Sequence, residues 1–171
     1  PRGDIIYKGE GGEVLLRIMS YGGATVFWPG RPNGEAASKS YGADASLGLP
    51  PANWQDALRR ADLASKKLGE LTGAAVAFNI GAAPAGAQTP SDATVIADAI
   101  VRAAAGMAEV SRDPTGARIL RERINQVRFA VGAAPKLSLD GKSLIVSYNP
   151  SADAAGRPSS RAVREFLENS L

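Results

Sequence analysis

Two adjacent glycines, Gly22 and Gly23, sit at the middle of Glu13–Pro29, the densest apolar run in the chain. Glycine takes a positive φ without steric cost, so the pair reads as the two-residue turn of a type I′ β-hairpin. That turn sets a register in which Met19 faces Val26, Ile18 faces Phe27 and Arg17 faces Trp28. Side chains alternate along a strand, so one face carries Val14, Leu16, Ile18 and Phe27, and the other Leu15, Arg17, Met19, Val26 and Trp28. The first face reads as core, with the rest of the chain as its cover. The second is apolar too, but it sets an arginine opposite a tryptophan and is expected to be covered incompletely. Leu15, Arg17, Met19, Val26 and Trp28 are therefore the candidate binding residues, and the occupant expected on this face, or along an open strand edge, is a protein or peptide segment.

The chain is 171 residues long and 44% hydrophobic, which suits one domain, residues 1–171, with a sizeable core. Its 20 basic and 17 acidic residues are mixed without blocks of one sign, and nucleic acid is not an expected partner. It has neither cysteine nor histidine. Thiol nucleophiles, disulfides, Cys/His metal sites and Ser-His-Asp arrangements are excluded, and neither a metal nor a cofactor is expected. Catalysis would have to come from a carboxylate pair or from serine with a lysine base, so the expectation is a noncatalytic binding or structural module, with a histidine-independent hydrolase as the alternative. No apolar run approaches the ~18 residues of a membrane-spanning helix. The chain starts at Pro1 rather than methionine, and removal of an export signal before it is the expectation.

Asp4–Lys8 reads as a short strand that forms a meander with the hairpin, and residues 29–53, rich in Gly, Pro, Ala and Ser, read as a long irregular loop. A first helix starts at Asn53 as N-cap and stops at Gly73, with Trp54, Leu58, Ala61, Ala64, Leu68 and Leu71 as its apolar face. Ala74–Ile80 reads as a buried strand with Val76, Phe78 and Ile80 on one side, and a second helix follows from Thr89-Pro90. In that helix Asp98 and Arg102 form a surface pair of a few tenths of a kcal/mol. A third helix is capped by Asp113-Pro114 and runs to Val131, with Ile124, Val127 and Val131 inward and a polar stripe that includes Arg118, Arg121, Glu122 and Arg128. Arg118, Arg121 and Arg128 are the candidate anion-binding residues, since guanidinium matches planar oxyanions. A second hairpin turns at Asp140-Gly141, with Leu137, Leu139, Leu144 and Val146 on one face. A last helix docks through Val163, Phe166, Leu167 and Leu171. The expected fold is α+β: an antiparallel sheet of the N-terminal meander, the 74–80 strand and the Asp140-Gly141 hairpin, with about four helices, the longer ones packed on one face.

Residues 1–38 carry Arg2-Gly3-Asp4 before the first strand, the Gly22-Gly23 turn, the Val26-Phe27 strand and Arg31-Pro32, Gly34 and Ala36-Ala37 after it. This stretch resembles an uncharacterised family of exported or envelope-associated bacterial proteins known as a domain of unknown function. The resemblance implies a bacterial, periplasmic or secreted protein, and it transfers no active site.

Overall fold

The computed structural model describes residues 3–9, 12–28, 30–38, 49, 51–81 and 90–171. They divide into two compact units, Pro1–Ser46 and Leu47–Leu171.

The first unit is an antiparallel meander of β1 (Ile5–Lys8), β2 (Val14–Ile18), β3 (Ala24–Trp28) and β4 (Arg31–Ala37), in that spatial order. The β2–β3 turn holds three residues, not two. Met19 donates its N–H to the Gly23 carbonyl (2.7 Å), Gly22 donates to the Met19 carbonyl (2.9 Å), and Gly22 supplies the positive φ of 92° that such a loop needs. The odd loop length moves the register by an odd number, so Leu16 pairs with Val26, Arg17 with Thr25 and Ile18 with Ala24. Every β3 side chain in this pairing changes face relative to the expectation. β4 is a second correction, because residues 31–37 were expected to be irregular. A Pro- and Gly-bearing strand is tolerated at a sheet edge, where its outer backbone groups need no partner. Of the remainder of 29–53, residues 29, 39–48 and 50 lie outside the described residues.

The second unit holds α1 (Trp54–Thr72), β5 (Ala77–Asn79), α2 (Pro90–Val110), α3 (Pro114–Arg123), β6 (Gln126–Val131), β7 (Lys136–Asp140), β8 (Ser143–Tyr148), a 3₁₀ helix (Pro150–Gly156) and α4 (Ser160–Ser170). Its strands form a separate sheet in the order β5-β6-β8-β7. β5, β6 and β8 are mutually parallel neighbours, and β7 is antiparallel to β8. The α+β class holds, with four α-helices and an antiparallel four-stranded meander among the described residues. The Asp140-Gly141 hairpin and the 74–80 strand do not extend that meander, however; they build this second, mixed sheet.

β6 is the strand that helical periodicity hid. Residues 120, 124, 127 and 131 fit one helix face, yet Val127, Phe129 and Val131 also alternate with polar or small residues, and α3 ends at Arg123 with Ile124 in an extended conformation (φ −127°, ψ 117°). Val127 and Phe129 are buried, and Val131 at the strand end is exposed.

Local signals place the other elements as read. Asn53 accepts from the Asp56 N–H (2.9 Å) while the Asp56 carboxylate accepts from the Asn53 N–H (3.0 Å), a complete capping box, and Gly73 ends α1 at φ 73°. Asp113 accepts from the Gly116 N–H (2.9 Å) to start α3. Leu137 pairs with Val146 and Leu139 with Leu144, the expected face of the second hairpin. Val163 and Leu167 of α4 are buried, with Phe166 and Leu171 packed beside them. The buried face of α1 is rotated from the expected one: Ala57, Ala61, Ala64, Leu68 and Thr72 are buried, while Leu58 and Leu71 are exposed.

Among the described residues the buried hydrophobic core lies wholly in the second unit, from Ala52 to Leu167. Its hub is α2, where Val95, Ile96, Ala97, Ala99, Ile100, Ala103 and Met107 are all at most 1% exposed. α2 touches α1, α3, α4, the 3₁₀ helix and β8. The hairpin, the most apolar stretch in sequence, contributes no residue to that core.

Candidate functional site

Among its described residues the first unit has strands and no helix, and its sheet exposes large apolar side chains. Ile6, Leu15 and Trp28 are 49%, 42% and 44% exposed. Strand alternation puts Ile6 of β1 beside its partner Arg17 of β2, on the same face as Leu15 and Phe27. A groove of ≈ 620 Å³ crosses this face, lined by Ile6, Leu15, Arg17, Phe27, Trp28 and Arg31 among others.

The structure brings three of the five hairpin candidates together here: Leu15, Arg17 and Trp28. Val26 falls on the opposite face with its partner Leu16, because the three-residue turn reversed β3, whereas Trp28 lies past a register shift that separates it from Val26 and lines the groove. Met19 stands at that turn, its sulfur accepting from the Tyr21 hydroxyl. Arg17 does not face Trp28 across the hairpin; the residue paired with Trp28 is Arg31 of β4. Phe27, Ile6 and Arg31 are lining residues that the hairpin reading missed. A three-residue loop with glycine third was the signal available for Phe27, since it fixes the parity of the two strands.

Arg17 is held instead by Asp4. Its Nε and Nη2 both donate to Asp4 Oδ2, at 3.0 and 2.5 Å, and Asp4 Oδ1 accepts from the Ser20 N–H at 3.2 Å. Asp4 thus ties the start of β1 to the β2–β3 turn and orients a guanidinium at the groove. The Arg17 hydrogen bonds first, and then the Ser20 N–H, hold the Asp4 carboxyl below its usual 3.8. A depressed folded-state pKa means that this tie stabilises the meander above the usual carboxylate value and is lost as pH falls through the lowered one. In an NMR titration the Asp4 carboxyl should therefore protonate below 3.8, and the Ser20 amide should shift with it. An Asp4 that titrates at or above the usual value would show that the tie is absent.

The arginine candidates for anion binding do not form one stripe. Arg118 and Arg121 are on α3, and Arg128 is on β6. Arg118 reaches Glu122 (3.5 Å) and Arg128 reaches Asp140 (3.9 Å), so both face carboxylates. The Asp98–Arg102 pair is also not a surface pair. Asp98 is 9% exposed and accepts from Arg102 Nε (3.3 Å) and from Arg157 Nε, which comes from beyond the 3₁₀ helix.

Ser65 and Lys66 have other partners than each other. The Ser65 hydroxyl donates to the Ala61 carbonyl (2.9 Å) and accepts from the Phe78 N–H (3.1 Å), joining α1 to β5. The Lys66 amine lies 2.8 Å from Asp62, and that hydrogen bond raises its pKa, opposite to what a general base requires. Among the described residues no group of three or more acidic side chains is placed to hold a metal ion, and no helix is long and apolar enough to cross a membrane.

No curated protein and no solved structure matches the chain. A family model does match, over residues 1–167, a span that takes in the first unit, the second as far as Leu167, and every strand of the two sheets. The chain belongs to the family described as domain of unknown function DUF4908.

Proposed function

We propose that this chain is a noncatalytic binding module of the bacterial cell envelope, periplasmic or secreted, which holds a protein or peptide segment on the grooved face of its N-terminal meander. The observation that carries the reading is the groove itself: Ile6, Leu15 and Trp28 expose apolar surface around an Arg17 already oriented by Asp4. Contiguous exposed apolar surface with a polar rim is the usual mark of an interaction site. The envelope assignment is supported by the resemblance of residues 1–38 to exported bacterial proteins. A hydrolase reading draws no support from Ser65 and Lys66, whose hydroxyl and amine are engaged elsewhere.

The register shift between Val26 and Trp28, only the second of which lines the groove, offers a built-in control. A photo-cross-linking residue at position 28 reports on the grooved face, and the same residue at position 26 reports on the opposite one. In cells of the native bacterium, position 28 should give a discrete adduct in the envelope fraction and position 26 should give far less. A chain found only in the cytosol, or equal labelling from both positions, would overturn the proposal.

A further inference from the structure

The two units are held closed by different physics. The second is built round side chains removed from water: Val127, Leu144 and Val146 of its sheet, and Ile96, Ile100 and Ala103 of α2, are all 0% exposed. The first has no counterpart to this. No described residue of β1–β4 is buried, and none joins the core. Burial of apolar surface is the main term that offsets the entropy of ordering a chain, so a sheet without buried side chains has little to hold it.

What closes the meander is local and open to water. Its strands are four, five, five and seven residues long. The register slips between Tyr7 and Lys8 and again between Val26 and Trp28, and each slip interrupts a ladder. In its ion pairs with Asp4 and Glu35, Arg17 and Arg31 are 45% and 64% exposed, and pairs so open to solvent contribute little. Nine of the chain's 19 glycines fall within residues 1–46, and glycine loses the most backbone freedom on ordering. Gly34 is the tightest point. Its φ is 68°, and a Cβ there would come within 2.6 Å of Thr25 Cγ2, so β3 and β4 close fully only with glycine at this position.

We infer that the meander opens and recloses as a unit of its own while the second unit stays folded, so that the grooved face is present only in the closed population. Opening β1–β4 exposes no buried core, which places this sheet at the low-stability end of the chain, where binding elements are commonly found. Whatever occupies the groove meets the closed form alone and raises its population. The opening itself belongs to the chain with its groove empty, and it stands apart from the groove's partner.

Amide exchange of the full chain under native conditions reads the opening of each sheet separately. Relative to their intrinsic rates, the hydrogen-bonded amides of β2 and β3 should exchange at least about a hundredfold faster than those of β6 and β8. Two substitutions then divide the chain. Gly34→Ala should raise β2 and β3 exchange at least about tenfold, or remove protection there outright, with β6 and β8 unchanged. In α2, a Cβ at Gly106 would come within 2.5 Å of the Ser160 carbonyl oxygen. Gly106→Ala should therefore raise β6 and β8 exchange roughly thirtyfold and leave β2 and β3 unchanged. Equal protection in the two sheets, either substitution accelerating both by one factor, or a Gly34→Ala chain that loses its helices would overturn the inference and make the chain a single cooperative unit. Should Gly106→Ala fail to fold, Gly69→Ala takes its place, since a Cβ there meets only an ordinary contact at 3.6 Å. It should slow β6 and β8 exchange about two- to fivefold without moving that of β2 and β3.

Discussion

Asp98→Ala is expected to cost about 3–5 kcal/mol of unfolding free energy, because it leaves a shielded guanidinium without its carboxylate. The Arg157 and Asp98 side chains are only 11% and 12% exposed, and Arg157 Nε donates to Asp98 Oδ2. Arg102, four residues along α2, adds a longer bond to the same oxygen (3.3 Å). The pair fastens the segment between the 3₁₀ helix and α4 onto the helix that forms the core hub, so its loss reaches packing as well as charge. Denaturant titration followed by the helical circular dichroism signal measures the cost. Replacing both partners by apolar side chains of similar size, Asp98→Leu with Arg157→Met, should recover most of the loss, since the penalty belongs to the unpaired charge. A single variant within about 0.5 kcal/mol of the native chain, the range of ordinary surface substitutions, would show that Arg157 finds water once Asp98 is gone.

Gly106→Ala should destabilise the chain by about 2 kcal/mol, although alanine is the better helix former by about 1 kcal/mol. Gly106 lies in α2 where α4 crosses it, and a Cβ there would come within 2.5 Å of the Ser160 carbonyl oxygen and 2.7 Å of Val163 Cβ. The first obstacle is backbone and cannot swing aside, so the two helices would have to separate. Gly69 of α1 supplies the opposite case. A Cβ there meets nothing nearer than the Ala74 carbonyl at 3.6 Å, an ordinary contact, so Gly69→Ala should stabilise by about 0.5–1 kcal/mol. The same substitution therefore changes sign between two helices of one unit. Equal effects at the two positions would mean that helix propensity, not the α2–α4 approach, sets the outcome.

These two sites also show what a linear reading can and cannot reach. Asn53, Asp113, Gly73 and the Leu137/Leu139/Leu144/Val146 face were legible because caps and hairpin faces are set by residues within a few positions of one another. Asp98 was legible as a helix neighbour of Arg102 but not as the partner of Arg157, which is 59 residues away. β6 was lost because positions 120, 124, 127 and 131 satisfy a helical period as well as a strand. The hairpin illustrates the sharpest sensitivity: one residue more in the turn, with Gly22 as the third loop residue, sent Val26 to the far face and brought Phe27 to the groove. Apolar density also misplaced the core. α2 gathers its core from small residues such as Ala97, Ala99 and Ala103, buried because neighbours approach closely, while Ile5, Ile6 and Tyr7 remain exposed. Of the site, Leu15, Arg17 and Trp28 were named from the hairpin; Asp4, which orients Arg17, was read as the start of the Asp4–Lys8 strand and as part of Arg2-Gly3-Asp4, not as a partner of Arg17.

The central claim is that the apolar face of the meander is a docking surface rather than core, and Trp28→Ala tests it most directly. Trp28 is 44% exposed, so its removal should lower unfolding free energy by less than about 1 kcal/mol, against about 3–5 kcal/mol for a buried tryptophan. Measured in the same variant, the envelope adduct formed by a cross-linking residue at position 15 should disappear. A loss of about 3 kcal/mol or more with the adduct retained would contradict the account and make Trp28 ordinary core.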